Sequence, residues 1–279
     1  MNHMQTQQNR QRVWEIDALR GLLILCVLAT HLYYTVDAFC INGYYDIDSY
    51  AYVNATDPLH FWFEWGEDGV IYKAFLSDAI REKWIFLGVD GFFVISGISC
   101  MFSRDNLKSG IRLLIAAYAI SAFTYALSIW TDDPTRFIRF GVLHCYAYCH
   151  LLFVFLLENR SNKTLLLLTI PIFIIGYFLR YHGVHAVRLP FLYIFGVRQL
   201  GDQSGDYWPI LPMMGWFLIG VVLGRKYYPE KKSLLSFPMA KKLTRPLQWL
   251  GRRSGIIYVS HIVIYTAIFC GIGILLNLL

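Results

Sequence analysis

The side chains best suited to acid–base chemistry in this sequence lie inside long apolar runs. His31 falls near the outer end of the first run, Asp90 interrupts the second, and His144 lies near the start of the fourth. An ionisable residue is costly inside a bilayer and is retained mainly for a task or a partner. Counting helical rise from the run ends predicts one outer layer of these three residues, and a histidine there suits proton removal. The alternative for His31 is a histidine that only hydrogen-bonds between helices.

A second polar group is predicted towards the opposite ends of the helices. Tyr258 and His261 share a face of the last run at i, i+3, and His261 lies about 10 Å from the start of that run. We predict that they form an inner layer with Arg20, separate from the outer layer. Arg20 and His31 lie about 16.5 Å apart along one helix.

Membrane-spanning helices must hold these residues. The chain has 279 residues and is 56% hydrophobic but only 16% charged, against roughly 25% charged residues in a typical soluble domain. A spanning helix needs about 20 apolar residues. Candidate runs are 18–38, 84–102, 110–130, 137–157, 164–181, 210–224 and 254–279. The run at 210–224 is the weakest, being short and bounded by prolines. We therefore predict an all-α integral membrane protein, a bundle of about seven transmembrane helices.

The distribution of Lys and Arg predicts the orientation. Most of the 25 lie in segments that are cytosolic if the N-terminus is cytosolic, so the positive-inside rule favours an N-in, C-out topology. Residues 1–11 are predicted to be a disordered cytosolic tail, and residues 12–279 a single transmembrane domain. Residues 225–253 are predicted to be a basic cytosolic connector. The inner face as a whole is predicted to be basic and suits phospholipid head groups or an anionic cytosolic ligand. We expect the protein in a bacterial inner membrane.

Two long outer segments, 39–83 and 182–209, are predicted to cap an acceptor site. The first contains Trp62 and Trp65 among many aromatic and acidic residues. Such a surface suits stacking on sugar rings and holding ammonium groups, and an interfacial aromatic belt is the alternative.

Two charged residues border these segments and are candidates for substrate binding. Asp37 or Asp90 could orient the ring of His31 and stabilise its imidazolium form. Arg139 is interpreted as an interfacial anchor, a clamp for a substrate carboxylate or a partner of Asp90, and the sequence does not rank these three.

Three cations, Arg104, Lys108 and Arg112, follow the second run on the cytosolic side. They are either positive-inside anchors or contacts for phosphate groups.

Two further patterns are attributed to packing. Cys145 and Cys149 lie between His144 and His150, a pattern that could form a metal site. Small apolar thiols are ordinary packing residues, however, and we predict no metal. The spacing Gly220-x-x-x-Gly224 lets helices approach closely and offers a contact face for an oligomer.

Several stretches resemble motifs of membrane acyltransferases. Trp14-Glu-Ile-Asp17-Ala-Leu-Arg20-Gly21, followed by His31, resembles the transmembrane acyltransferase superfamily. Gly88-Val-Asp90-Gly-Phe-Phe-Val-Ile-Ser96-Gly97 is similar to the second-helix motif of bacterial membrane O-acyltransferases. Arg139-Phe-Gly141-Val-Leu143-His144 and Leu250-Gly251-Arg-Arg-Ser254, with Tyr258 and His261, are similar to the heparan-α-glucosaminide N-acetyltransferase-like branch.

The resemblance implies transfer of an acyl group, usually acetyl, from cytosolic acetyl-CoA to an amino or hydroxyl group of a sugar at the outer face. In the animal lysosomal enzyme the proposed catalytic histidine follows the first helix. In the bacterial O-acyltransferases it lies within that helix, which favours His31 as base or acyl carrier. The residues expected to bind the donor are Arg20, Arg104, Lys108, Arg112, Tyr258 and His261.

Two other classes of function compete with the enzyme. Intramembrane histidine and aspartate also mark proton relays in transporters, so a proton-coupled permease of a small polar solute or glycolipid is the alternative. A non-catalytic sensor or scaffold is the third hypothesis. The sequence shows no convincing internal repeat of the kind many transporters carry. The expected partners are acetyl-CoA, an extracytoplasmic sugar or glycan and the lipid bilayer, with no nucleic acid and with a homo-oligomer as an open option.

Overall fold

The fold is known from a computed structural model. It describes residues 13–40, 78–103, 105–130, 134–182, 190–198, 202, 204 and 206–278. Side chains are described within these ranges except at 33–40, 78–87, 135, 180–181, 190, 262, 266, 269–270 and 272–278. The predictions for the tail, the segment 41–77, the Asp37 side chain, Trp62, Trp65 and Arg104 therefore lie outside the described residues.

Helices account for nearly all regular structure in the described residues. The α-helices are α1 (Trp14–Cys40), α2 (Asp78–Cys100), α3 (Asn106–Trp130), α4 (Val142–Leu152), α5 (Asn162–His182), α6 (Ile210–Tyr227), α7 (Pro238–Leu243), α8 (Arg245–Arg252) and α9 (Ser254–Leu278). A π-helical turn, Phe153–Leu157, continues α4, and 3₁₀ turns occupy Pro134–Arg136 and Pro190–Phe195. Every predicted apolar run contains a helix, so the all-helical prediction is confirmed for this part of the chain.

Three of the described helices are long and apolar enough to cross a membrane. They are α3, residues Asn162–Leu179 of α5, and α6; the apolar helices Gly88–Cys100 and Val142–Leu157 are shorter. The number of spans and the cytoplasmic N-terminus stay predictions.

The three candidate spans differ in how they are buried. Large apolar side chains such as Phe123 on α3 and Ile174 on α5 are exposed, as expected of side chains that face lipid. In contrast, 61% of α6 is buried within the protein. The run at 210–224 is weak in sequence because α6 meets mainly protein and needs less apolar surface.

The chain divides into two compact units. The central unit consists of Met1–Val13 and Phe92–Leu234, and the terminal unit consists of Trp14–Gly91 and Leu235–Leu279. The boundary falls within α2. Each unit is described separately below.

Close contact between α2 and α6 organises the central unit. A side chain added at Gly97 would clash with the backbone of Phe217, and one added at Gly220 would clash with the backbone of Val94. Gly224 approaches Ile98 in the same way. The spacing Gly220-x-x-x-Gly224 thus packs against a helix of its own chain, so the prediction that it offers a face for an oligomer is wrong.

The terminal unit is built on α1 packed against α8 and α9. A Cβ atom at Gly21 would overlap the backbone of Leu247, and one at Gly251 would overlap the backbone of Asp17. The indole N–H of Trp14 donates to the carbonyl oxygen of Leu235 at 3.2 Å. These contacts fix α8 beside the first two turns of α1.

Candidate active site

Two histidines meet in the terminal unit. The imidazole rings of His31 on α1 and His261 on α9 are edge to face, with centroids 4.6 Å apart. Tyr258 lies edge-on to His31 at 6.1 Å and also contacts His261 at 5.4 Å. His261 is only 3% exposed, whereas His31 is half-buried. The pair therefore combines a buried imidazole with a more accessible one.

The helix backbone orients both rings of this pair. Nδ1 of His31 lies 2.9 Å from the carbonyl oxygen of Val27, one turn earlier. Nδ1 of His261 is hydrogen-bonded in the same way to the carbonyl oxygen of Tyr258. A carbonyl only accepts, so Nδ1 carries the proton in both rings and Nε2 of each neutral imidazole carries the lone pair. Within the described residues the buried Nε2 of His261 has no hydrogen-bond partner.

Contacts on both sides of the pair hold α9 against α1. The phenol of Tyr265 donates to the carbonyl oxygen of Leu28 at 3.2 Å, and its ring contacts His261 at 5.6 Å. On the other side, Gly251 packs on the backbone of Asp17. Sequence reasoning did not find Tyr265, because a tyrosine in an apolar helix carries no signal of its carbonyl partner.

The predicted separation of His261 from His31 into inner and outer layers is wrong. That prediction counted depth from Ser254 as though α9 began level with the start of the first apolar run. In the structure, α8 lies beside residues 17–21, so α9 begins further along α1 and seven residues bring His261 level with His31. His261 thus joins the candidate catalytic residue.

The prediction that Asp90 lies level with His31 is also wrong. Gly88 packs beside Cys26 and Val27, and Gly91 packs beside Leu23. This antiparallel register places Asp90 beside the middle of α1, about 10 Å along the axis from His31. The Val27 carbonyl, rather than the Asp90 carboxylate, accepts from Nδ1 of His31.

Buried carboxylates lie at the start of α1. Glu15 and Asp17 are 6% and 8% exposed, and the guanidinium of Arg20 lies 3.8 Å from Asp17. Arg20, predicted to bind the donor, therefore offsets the charge of Asp17 in the terminal unit.

His144, the third predicted catalytic residue, caps a helix in the central unit. Its Nδ1 accepts the backbone N–H of Gly141 at 3.2 Å, so its Nε2 carries the proton and donates to Ser121 Oγ, also at 3.2 Å. The hydroxyl of Ser121 in turn donates to the carbonyl oxygen of Ile138. Because α4 begins at Val142 rather than at residue 137, His144 lies in its first turn. The side chain is 1% exposed and uses both ring nitrogens structurally.

His150 is a second buried histidine of the central unit. It links α4 to α2, with Nε2 at 3.0 Å from Ser96 Oγ and Nδ1 at 3.6 Å from Cys100 Sγ. The thiol of Cys145 donates to the carbonyl oxygen of Pro209. No group of three or more His, Cys, Asp or Glu side chains in the described part of the chain is arranged to hold a metal ion.

An ordered polar cluster joins Arg139 to residues of the second predicted outer segment. The guanidinium of Arg139 lies 3.8 Å from the carboxylate of Asp202, whose side chain is 3% exposed. The phenol of Tyr193 donates to the same carboxylate at 2.8 Å, and the phenol of Tyr207 donates to the carbonyl oxygen of Tyr193 at 2.6 Å. Burial is the main cause that raises the pKa of both tyrosines, so they stay protonated donors at neutral pH. Arg139 thus has a partner, Asp202, that none of its three interpretations named.

Two of the cations predicted to bind the donor lie at the start of α3. Lys108 and Arg112 are exposed and four residues apart, so they share one face of the helix. Asp105 accepts the backbone N–H of Lys108 at 2.9 Å, and this hydrogen bond lowers the pKa of the Asp105 carboxyl. Its carboxylate also lies 3.5 Å from the Lys108 ammonium. Arg112 is the cation of this pair that is more available for an external phosphate.

Arg225 is a cation whose role sequence reasoning missed. Its guanidinium donates to the carbonyl oxygens of Arg160 and Glu158 at 2.7 and 2.6 Å, and to Asn162 Oδ1 at 3.3 Å. It fastens the turn between α4 and α5 to the end of α6. A sequence does not show which backbone carbonyl oxygens a side chain will contact. Arg225 was therefore predicted only to be a charge on the cytosolic face.

The described residues thus form an all-helical protein with helices apolar enough to cross a membrane and with two histidines in contact. The family model for heparan-alpha-glucosaminide N-acetyltransferase, catalytic, matches residues 58–263. The chain belongs to this family and is a membrane acetyltransferase. No curated protein and no solved structure matches it.

The range matched by the family model covers one histidine of the pair but not the other. It includes His261 but begins after His31. It also includes His60, which follows α1 and lies outside the described residues. Family membership favours the transferase over the permease and the scaffold, while the choice of catalytic histidine depends on the geometry of the pair.

Proposed function

We propose that the protein transfers an acetyl group from cytosolic acetyl-CoA to an amino or hydroxyl group of a sugar at the opposite membrane face, using His31 and His261 together. The contact of these two imidazoles is the observation that carries the proposal. Family members use acetyl-CoA as donor, and an acyl thioester is already activated. The protein must therefore mainly supply a base and precise placement.

His31 is the base in this proposal. Its Nδ1 is tied to the Val27 carbonyl, so Nε2 presents a lone pair and removes one proton from the acceptor hydroxyl or amine. An acceptor that arrives as an ammonium first releases one proton to water. The acceptor then bonds to the acetyl carbon, the carbon–sulfur bond breaks, and the proton returns to the CoA sulfur. If the acetyl group instead passes through an acetyl-imidazole on His31, the same Nε2 lone pair must reach the acetyl carbon. His261 supports the ring of His31 and offers a second lone pair next to it.

The two substrates are assigned to charged and aromatic surfaces. Arg112 and Lys108 suit the phosphates of CoA, with Arg104 as a further candidate outside the described residues. Trp62, Trp65 and Arg139 are each kept as candidate contacts for the acceptor. In the cluster around Arg139, the hydrogen-bonded pair of Tyr193 and Asp202 holds the Arg139 side chain in place.

Sealed vesicles test the proposal. Labelled acetyl-CoA is supplied on the cytosolic face, and a panel of amino sugars and neutral sugars is supplied on the other. Wild type should acetylate at least one sugar, and His31→Ala should lose the product by about 10²- to 10⁴-fold. His3→Ala, a change in the predicted cytosolic tail, is the matched control and should retain activity.

His60→Ala distinguishes the competing position for the base. If His60→Ala abolishes transfer while His31→Ala does not, the base lies in the segment after α1 and the role of His31 is rejected. Sugar movement without any acetylated product would instead support the permease.

A further inference from the structure

Helices α7 and α8 present a basic and apolar surface in the terminal unit. We use the name α7–α8 surface for the exposed side chains of Met239, Lys241, Lys242, Leu243, Arg245, Trp249, Arg252 and Arg253. Met239 is 76% exposed and Leu243 is 74% exposed. Apolar side chains exposed to this degree beside several cations need a partner that is both apolar and anionic.

The periodicity of α8 shows which face is available. Leu247, Gln248 and Gly251 lie on the face that packs against α1. Arg245, Trp249 and Arg252 are exposed and follow one another at i, i+4 and i+7, which places them on one stripe of the helix. The guanidinium of Arg253 also lies 4.5 Å from the centroid of the Trp249 ring. Two arginines thus flank an exposed indole along one stripe of the helix.

The charge of the α7–α8 surface has one sign. Between residues 235 and 253 the chain carries five cations and no Asp or Glu. Anionic head groups attract such a cluster, and the apolar side chains next to it can enter the boundary between head groups and acyl chains. A soluble phosphate compound would meet the cations but would leave Met239 and Leu243 in water.

The position of the segment in the chain agrees with a membrane surface. It follows α6, a candidate span that ends at Tyr227, and precedes the apolar helix α9. A short amphipathic segment between two such helices lies where a chain leaves and re-enters the bilayer.

We propose that the α7–α8 surface binds anionic phospholipid, with Arg245 and Arg252 on head-group phosphates and Trp249, Met239 and Leu243 in the acyl boundary. This binding is independent of acetyl transfer.

Lipid retention by the full-length protein tests this proposal. The purified protein is incubated in detergent with phosphatidylglycerol or phosphatidylcholine of identical acyl chains, and bound lipid is counted by native mass spectrometry. Wild type should prefer phosphatidylglycerol. Lys242→Gln/Arg245→Gln/Arg252→Gln should weaken this binding by about 100-fold, at about fivefold per cation.

A matched variant removes the same charge elsewhere. Lys163→Gln/Lys226→Gln/Lys231→Gln neutralises three exposed cations of the central unit and should retain the preference. Equal loss in both variants would show that net charge alone attracts the lipid and would overturn the proposal. Equal retention of the two lipids by wild type, or displacement of phosphatidylglycerol by soluble CoA, would overturn it as well.

Discussion

His144 and the His31–His261 pair are buried histidine sites whose ring nitrogens are used in opposite ways. In His144 a backbone N–H is the partner of Nδ1 and a serine hydroxyl is the partner of Nε2. In His31 and His261 a backbone carbonyl is the partner of Nδ1, which leaves the lone pair on Nε2. His144 and His261 are alike in residue type and burial, so hydrogen-bond partners separate a structural histidine from one that can accept a proton.

The sharpest test of this difference removes one nitrogen from the pair. Asn in place of His261 keeps an N–H that can donate to the Tyr258 carbonyl but has no equivalent of Nε2. We expect His261→Asn to lower turnover by about 10²-fold with little change in the melting temperature. The measurement is the rate of labelled product formation, with His3→Asn as the control. A wild-type rate for His261→Asn would show that Nε2 has no part in transfer.

A change at the contact between α8 and α1 tests whether the pair depends on it. Gly251→Ala would push a methyl group into the backbone of Asp17 and displace α8, and with it α9. Small misplacements of reacting groups are costly, so turnover should fall on the order of tenfold to a hundredfold.

Gly255→Ala provides the matched control for this change. Apart from its own stretch of helix, no atom of the described residues lies within 4 Å of a Cβ added at Gly255, so this variant should retain turnover. Equal activity of the two alanine variants would show that the close approach at Gly251 does not position the pair.

The opposite behaviour is expected at His144. His144→Ala removes the acceptor for the Gly141 N–H and the donor to Ser121, which should lower the free energy of unfolding by about 1–3 kcal/mol. His144→Asn restores part of this stability because its side-chain oxygen can accept the Gly141 N–H. Thermal unfolding measures both effects. Loss of turnover in a fully folded His144→Asn protein would contradict the structural role.

The smallest effect is expected at the edge of the pair. Tyr265→Phe keeps the ring contact with His261 but removes the hydrogen bond to the Leu28 carbonyl. This bond contributes about 1 kcal/mol, so turnover should fall by a factor of about five or less. Steady-state kinetics at saturating donor measures the change, and a loss as large as that of His261→Asn would mean that Tyr265 acts in the chemistry itself.

The helices and the family could be predicted from the sequence because both depend on short stretches of residues. Apolar runs and small-residue spacing mark each helix, and segments such as Leu250-Gly251-Arg-Arg-Ser254 resemble a family motif without any knowledge of packing. The match to residues 58–263 confirms the family.

The pairing of His31 with His261 could not be predicted in this way. Depth was counted from the ends of apolar runs, and α8 shifts the register of α9 against α1 by packing Gly251 on Asp17. The glycines at 21 and 251 were a usable signal, since two helices that approach through glycine set a common register. The start of the helix that carries His144 was mispredicted for a related reason. That helix begins at Val142, whose N–H is accepted by Asp206, a residue distant in sequence.

A double-mutant cycle on the pair tests the central claim most directly. Turnover is measured for wild type, His31→Ala, His261→Ala and the double variant in the vesicle assay. If the two imidazoles act as one unit, the double variant loses no more activity than His31→Ala alone. If the two losses multiply, or if His261→Ala alone has no effect, the rings in contact do not work together and the account of the site is wrong.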